Sequence, residues 1–368
     1  MANTFVTLKT IARQALPRLI ENLVFPNLIH KDFSNDFGTL GDTIRVRKPV
    51  VLTASDFDPS QGIQPQDMQE NTVDVKLDKL ATVDAQASAI ETAVNIDDLN
   101  RLFIEPAAVA LAQKINADGL MLYADVPSAV DTHLCDLAAI GAVRKALNIQ
   151  KVPTAGRVAI WDPEADAAFS QIPAIVNADK SGSTEALREG SIGRVFGIEH
   201  YMSQSVPKHT ATITATAPKV NGAVTKGATS IAIDGTALTG KLKKGDVLTI
   251  GGNAYTVTED TADASSNAIA TVKIYPAAVA NIADNADVTI ASGYTANLAF
   301  NPMAFAYVTR PLHNPDGEGV ASYVTSYNGI SLRVTKGYDQ THKRSVYSMD
   351  VLYGYKCIYP ELAVRCMG

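Results

Sequence analysis

The side chains that could do chemistry in this chain are few and scattered. Lys243-Lys244-Gly245-Asp246 and Gly251-Gly252 offer the glycines and lysines that a phosphate-cradling loop would use. Both lie between strand-like runs with no helix behind them, so they are read as turns. The six histidines, at 30, 133, 200, 209, 313 and 342, form no clustered Cys/His set of the kind zinc takes. His200 and His209 are the nearest approach to one, and no third ligand accompanies them. Asp316-Gly317-Glu318 lacks the alternating oxygen ligands of a calcium loop. There is no Gly-x-Ser-x-Gly elbow for a serine nucleophile, and Asp97-Asp98 and Glu259-Asp260 are read as helix-start and turn residues. The expectation is a protein without catalytic, cofactor or metal site.

The elements that would carry any site are more informative. Residues 8–24 repeat apolar groups (Leu8, Ile11, Ala12, Ala15, Leu16, Leu19, Ile20, Leu23, Val24) at helical spacing, and Pro17 should kink or split that helix. It could pack on its own core or lie as an arm against a neighbouring copy. Residues 42–83 read as a two-stranded ribbon: Ile44 and Val46 alternate with Arg45 and Arg47, and Val73, Val75 and Leu77 alternate with Asp74, Lys76 and Asp78. Between the strands, Ala54 to Asn71 is a polar loop carrying Asp56, Asp58, Asp67 and Glu70, and loops of this length tend to be functional or disordered. The basic strand and acidic loop suit either a solvated hairpin or a projection that meets opposite charges on another copy.

A long helix is expected over Pro106–Asp125, with Ala108, Leu111, Ile115, Gly119 and Leu122 on one stripe, and a second over Leu134 to Leu147. Arg157–Trp161 reads as a buried strand, Asp162-Pro163-Glu164 as a helix start, and Val195–Ile198 as another short strand. Composition changes near Thr210: from Ala211 to Ala296 there is no Arg, Phe, Trp, His, Cys or Met, and short Ala/Thr-rich alternating runs take over. Runs at 230–233, 247–250, 255–258, 270–274 and 288–290, separated by Gly, Asp and Asn turns, predict a small all-β barrel or sandwich inserted into the chain. The rest closes as a meander, with strands at 323–327 and 330–334 about Asn328-Gly329 and a third over Ser345–Cys357.

Composition bounds the function. The chain has 368 residues, 46% hydrophobic and 19% charged, which is ample for two folded domains. A net charge of −6, with Arg45–Lys48 and His342-Lys343-Arg344 as the densest basic runs, argues against sequence-specific DNA reading and leaves room only for weak contact with DNA. Three cysteines are too few for a disulfide framework and fit a reducing compartment. No apolar run is long enough to cross a membrane, and Arg13, Arg18 and Glu21 interrupt any signal-peptide pattern, so a cytosolic protein is expected.

The order of parts resembles that of tailed-phage major capsid proteins with the HK97-like fold, most closely the short-tailed Salmonella phage type with its insertion domain. The stretch from Asp97-Asp98-Leu99 into Pro106–Asp125 is similar to the spine helix of that family. Ala228–Gly252, with Lys243-Lys244-Gly245-Asp246 followed by an apolar strand, is similar to its insertion barrel, although this insertion is shorter. The resemblance implies an α+β fold: N-terminal arm over 1–41, extended β-ribbon (E-loop) over 42–83, spine helix and mixed core over 84–209, inserted β-rich domain over 210–296, and core return over 297–368. It also implies hexamers and pentamers on an icosahedral shell enclosing double-stranded DNA, guided by a scaffolding protein and a portal, assembled in the host cytoplasm. No Lys–Asn cross-link is expected.

Arg45, Arg47 and Lys48 on the ribbon, with Asp56 and Asp58 at its tip, are the expected inter-subunit contacts. The insertion could support folding of the subunit, the reading favoured here, or make contacts across the lattice. The competing readings are an HK97-like bacterial encapsulating shell, against which the insertion argues, and a non-assembling binding module. DNA-filled particles would separate the first from a coat protein, and a stable lone monomer would favour the second.

Overall fold

The computed structural model describes residues 8–31, 43–48, 72–88, 105–177, 190–315, 320–327, 330–342 and 344–368, and among these short alternating runs and two amphipathic stripes give 20 strands and five α-helices. In order these are α1 (Leu8–Asn22), β1 (Thr43–Arg47), β2 (Thr72–Lys76), β3 (Lys79–Ser88), α2 (Glu105–Leu120), β4 (Ala129–Asp131), α3 (Leu137–Ile149), β5 (Arg157–Trp161), α4 (Pro163–Phe169) and α5 (Pro173–Val176). Then come β6 (Arg194–Val195), β7 (Ile198–Met202), β8 (Lys208–Thr210), β9 (Thr214–Val220), β10 (Ser230–Thr239), β11 (Val247–Ile250), β12 (Asn253–Val257) and β13 (Ala268–Tyr275). The last are β14 (Val288–Ile290), β15 (Gly293–Phe300), β16 (Phe305–Thr309), β17 (Ala321–Tyr327), β18 (Ile330–Asp339), β19 (Arg344–Cys357) and β20 (Ala363–Met367). Among the described residues, no helix is long and apolar enough to cross a membrane. Two compact units result, one from residues 1–16, 31–104 and 306–358 and the other from 17–30, 105–305 and 359–368.

The first unit is built on a five-stranded sheet in which β19 is the spine. β18 and β3 flank it, Asp339↔Arg344 closing one hairpin and Ser88↔Arg344 starting the other ladder. The ribbon is the separate pair β1–β2, antiparallel, with Arg45 opposite Asp74 and Val46 opposite Val73. Val75 and Leu77 are buried at its base with Val308 and Leu352. The chain passes to the main sheet at Lys79, inside the 42–83 range expected for the ribbon, because Leu77 and Ala81 turn their side chains into the core. At the crossing, a Cβ on Gly354 would sit on the Lys76 carbonyl oxygen. Glycine is therefore demanded by backbone approach, not by backbone conformation.

The second unit contains two layers and a barrel. Its sheet runs β4-β20-β15-β5-β7-β6, with β8 also on β15. α3 and α4 cover it through Ile140, Val143, Leu147 and Phe169, which pack with Trp161, Ala299 and Val364. Asp136 starts α3 by accepting the Ala139 amide at 2.7 Å. The long helix is shorter than expected: α2 ends at Leu120, and Met121–Asp125 tighten into a 3₁₀ turn. Buried Asn116 on α2 accepts from the amides of Val24 and Phe25 at 3.1 and 3.3 Å and donates to the Asn22 carbonyl at 2.9 Å, closing the end of α1. α1 runs unbroken through Pro17, which is exposed, so the carbonyl it leaves unbonded at exposed Arg13 is open to water. Val195–Ile198, expected as a strand, is instead a hairpin turn between β6 and β7, with Phe196 and Gly197 both at positive φ. Cys357 and Cys366 are buried thiols and Cys135 is half-buried.

β9–β14 form the inserted domain, a six-stranded antiparallel sheet in the order β14-β11-β12-β13-β10-β9. Its ends are joined by a bridge at Lys219↔Asp287 and by paired hydrogen bonds of 2.9 Å, Val220 N to Ala286 O and Asn285 N to Val220 O. It is a closed barrel, filled by Val220, Ile231, Ile233, Leu248, Val257, Val272 and other buried apolar residues. Strand β9, which the sequence pattern does not announce, is Ala/Thr-rich and buries only Val220. The insertion begins and ends inside the expected 210–296, because β8 and β15 pair across its base as Thr210↔Gly293 and His209↔Tyr294.

Candidate functional site: the ribbon and the barrel junction

The ribbon residues named from sequence are only partly reached by the described structure. Arg45 lies on β1 with its side chain 77% exposed and its Nε 3.4 Å from Asp74 Oδ1, itself 50% exposed. A pair this open is worth a few tenths of a kcal/mol, about 1 at most, and is easily exchanged for another partner. Arg47 is the last residue of β1, opposite Thr72, and Lys48 follows it, half-buried. Asp56 and Asp58 lie outside the described residues, as do Asp97 and Asp98. The structure thus sets Arg45, Arg47 and Lys48 at the end of an anchored two-stranded ribbon, where the chain leaves for the acidic segment.

A second constellation, which sequence reasoning missed, lies where the barrel meets the body of its unit. The turn Lys243–Asp246 between β10 and β11 enters the body, and Gly245 at φ +103° lets it do so: a Cβ there would meet the Arg365 guanidinium at 3.0 Å and His209 Cε1 at 3.4 Å. Asp246 is fully buried and takes the Lys243 amide on Oδ2 at 2.6 Å and His209 Nε2 on Oδ1 at 2.7 Å. His209 Nδ1 lies 2.8 Å from the Tyr123 hydroxyl. Read as neutral, the imidazole donates from Nε2 to the carboxylate and accepts the phenol proton at Nδ1.

Arg365, on β20 and 0% exposed, donates from one terminal nitrogen to the Gly245 carbonyl (2.8 Å) and Tyr294 Oη (2.6 Å), and from the other to Thr256 Oγ1 (2.9 Å). The Tyr294 hydroxyl donates in turn to the Gly245 carbonyl at 2.8 Å. Burial raises the Tyr123 and Tyr294 phenols above their usual range and lowers Arg365, opposed by the charges and hydroxyls facing it. At the rim, Lys244 pairs with Asp125. The signal that could have exposed this site is an arginine inside the apolar strand Ala363-Val364-Arg365-Cys366, since a buried guanidinium requires partners.

Asp246–His209–Tyr123 has the order of a proton relay, but each member is closed off by protein and the pair with Arg365 nearby explains it as a junction. His200 sits elsewhere, taking the Trp161 indole N–H on Nδ1 at 2.8 Å, so the two histidines share no site. Among the described residues, no group of three His, Cys, Asp or Glu could hold a metal. A surface hollow lined by Glu259, Asp260, Asp263 and Lys273 is occupied by its own ion pairs, Lys273–Glu259 at 2.8 Å and Lys241–Asp260 at 3.8 Å.

Residues 236–368, which include most of the barrel and the whole meander, match the family described as P22 coat protein. Across 94% of this chain and 90% of the other, the fold is similar to a chain from Mycobacterium phage Che8, with TM-score 0.54 at 16% identity. Over residues 236–368 the chain is thus similar to a phage coat-protein family, and its fold is similar to that of a phage chain. Weaker similarities extend to Mycobacterium phage Ogopogo (TM-score 0.49, 9% identity, 94% and 91% of the two chains) and to the structure titled as the capsid of Cyanophage P-SCSP1u (0.48, 14%, 94% and 88%). No curated protein matches the chain. The α+β, sheet-rich architecture is the fold this chain shares with the Che8 chain. What its surfaces do follows from the two arrangements just described.

Proposed function

We propose that this chain is the major capsid (coat) protein of a tailed phage and self-associates into the hexamers and pentamers of an icosahedral virion capsid enclosing double-stranded DNA. Assembly takes place in the host cytoplasm, guided by a scaffolding protein and nucleated at a portal, and DNA is touched only weakly and without sequence preference. The observation that carries the reading is the coat-family match over residues 236–368 on a chain whose fold as a whole is that of a phage protein.

The ribbon supplies the ties. Its base is anchored through Val75 and Leu77, while Arg45, Arg47 and Lys48 bring positive charge to the root of a segment that contains Asp56 and Asp58. In a shell, basic root and acidic tip meet their opposites on neighbouring copies. Many such weak contacts, repeated around a closed lattice, hold it by their sum. The expressed chain should form closed shells in electron micrographs. Replacing residues 54–71 by a short Gly-Ser turn should leave a soluble, folded subunit and reduce shell yield. Normal shell yield from that variant would remove the ribbon from this role, and a wild-type chain that stays monomeric under all assembly conditions would remove the capsid reading.

A further inference from the structure

The junction ties the barrel not to the body in general but to one particular place on it. Tyr123 and Asp125 belong to the 3₁₀ turn that directly continues the spine helix α2, and each holds the barrel turn: Tyr123 through His209 to Asp246, Asp125 through Lys244. Arg365 supplies the opposite jaw from β20, gripping the Gly245 carbonyl and, through Thr256, the neighbouring barrel strand β12. The contacts are directional and polar. Asp246, Arg365, His209 and Thr256 are all 5% exposed or less. A slide of an ångström would break several bonds together and strand a carboxylate and a guanidinium out of water. Among the described residues Arg365 Nε has no hydrogen-bond partner, so the network is not tuned for maximal satisfaction of the cation. Buried ionic networks often add no more stability than well-packed apolar residues of equal volume, and their best-attested use is to fix one register.

We propose that the turn 243–246 is a mechanical latch that couples the barrel to the end of the spine helix, with Arg365 as its positioning residue, so that a displacement at residues 121–125 is passed to the barrel. The coupling is a property of the single subunit and stands apart from the capsid reading. Within a shell it would give the barrel an orientation dictated by the spine helix.

Hydrogen exchange on the full-length soluble subunit tests it, because coupling between two sites is reciprocal. On the body side, Tyr123→Phe with Asp125→Asn should speed exchange at the barrel amides of Gly245 and Val257, which bond Val257 O and Asp246 O, by about tenfold. On the barrel side, Asp246→Asn should speed exchange at the Val126 amide, which bonds Tyr123 O. Barrel amides remote from the turn, such as Val224 and Ala278, which bond Ile282 O and Ala228 O, should not change. Arg365→Met should produce both effects at once. If that variant fails to fold, the Tyr123 and Asp246 variants, which keep size and shape, decide alone. Acceleration confined to the mutated side, or spread evenly over the whole barrel, overturns the latch.

Discussion

His200 shows how a single buried side chain makes this subunit sensitive to pH. Its Nδ1 accepts the Trp161 indole proton and the two rings stack at 6.0 Å, so the neutral imidazole is the form that fits. Burial lowers its pKa from 6.5 to about 4, against a smaller opposing backbone hydrogen bond at Val195. The unfolded chain therefore takes up a proton between pH 6.5 and 4 that the folded chain refuses. Stability is full above 6.5 and falls as pH drops through that window, by about 3 kcal/mol from this group. Urea unfolding of the subunit at a series of pH values should show the decline, and His200→Gln should flatten it. Parallel curves for the two proteins would mean the group titrates normally. Gly354 is the other decisive residue. Gly354→Ala places a methyl against the Lys76 carbonyl, which is backbone and cannot move aside cheaply, so a loss of about 1–3 kcal/mol in unfolding free energy is expected by urea titration.

At the level of elements, caps and crossings decide where helices and strands stop. Asp136→Ala removes the acceptor for the Ala139 amide and should cost about 1 kcal/mol by chemical denaturation, with Asp136→Ser recovering most of it. The second helix was legible to within a turn because Asp136 precedes a clean apolar stripe. The buried strand β5 and the meander strands were legible for the same reason of unambiguous period. Three features show what was not. β9 closes the barrel, but of its residues 214–220 only Val220 is buried and Pro218 interrupts them, so no alternation marks it. The end of α2 tightens into a 3₁₀ turn that holds the junction, although its residues look as helical as those before them. Phe196-Gly197 reads as strand by hydrophobicity and is a turn because Gly197 reaches a φ of +80°.

At the largest scale, the second unit carries the barrel as an insertion, and the two can be separated experimentally. β8 and β15 pair as Thr210↔Gly293 beneath the barrel, so the ends left by removing 212–291 are already side by side. A subunit in which a short Gly-Ser turn replaces that segment should retain the helix content of the body by circular dichroism. It should also unfold at lower urea, because Tyr294, His209 and Arg365 lose their partners and become wetted. Undiminished stability would argue that the insertion contributes nothing to folding and serves the lattice alone.

Periodicity and composition, read along the chain, were enough to place the ribbon strands, the long helix and the inserted β-rich segment. Each of these depends on side chains within a few residues of one another. The junction could not be read that way. Tyr123, His209, Asp246, Tyr294 and Arg365 come from five separate elements, and only tertiary packing makes Arg365, an oddity in an apolar strand, the partner of a turn 120 residues earlier. Burial is the physical reason: a charge removed from water must find its counterparts wherever the fold has brought them, and sequence distance places no limit on that search.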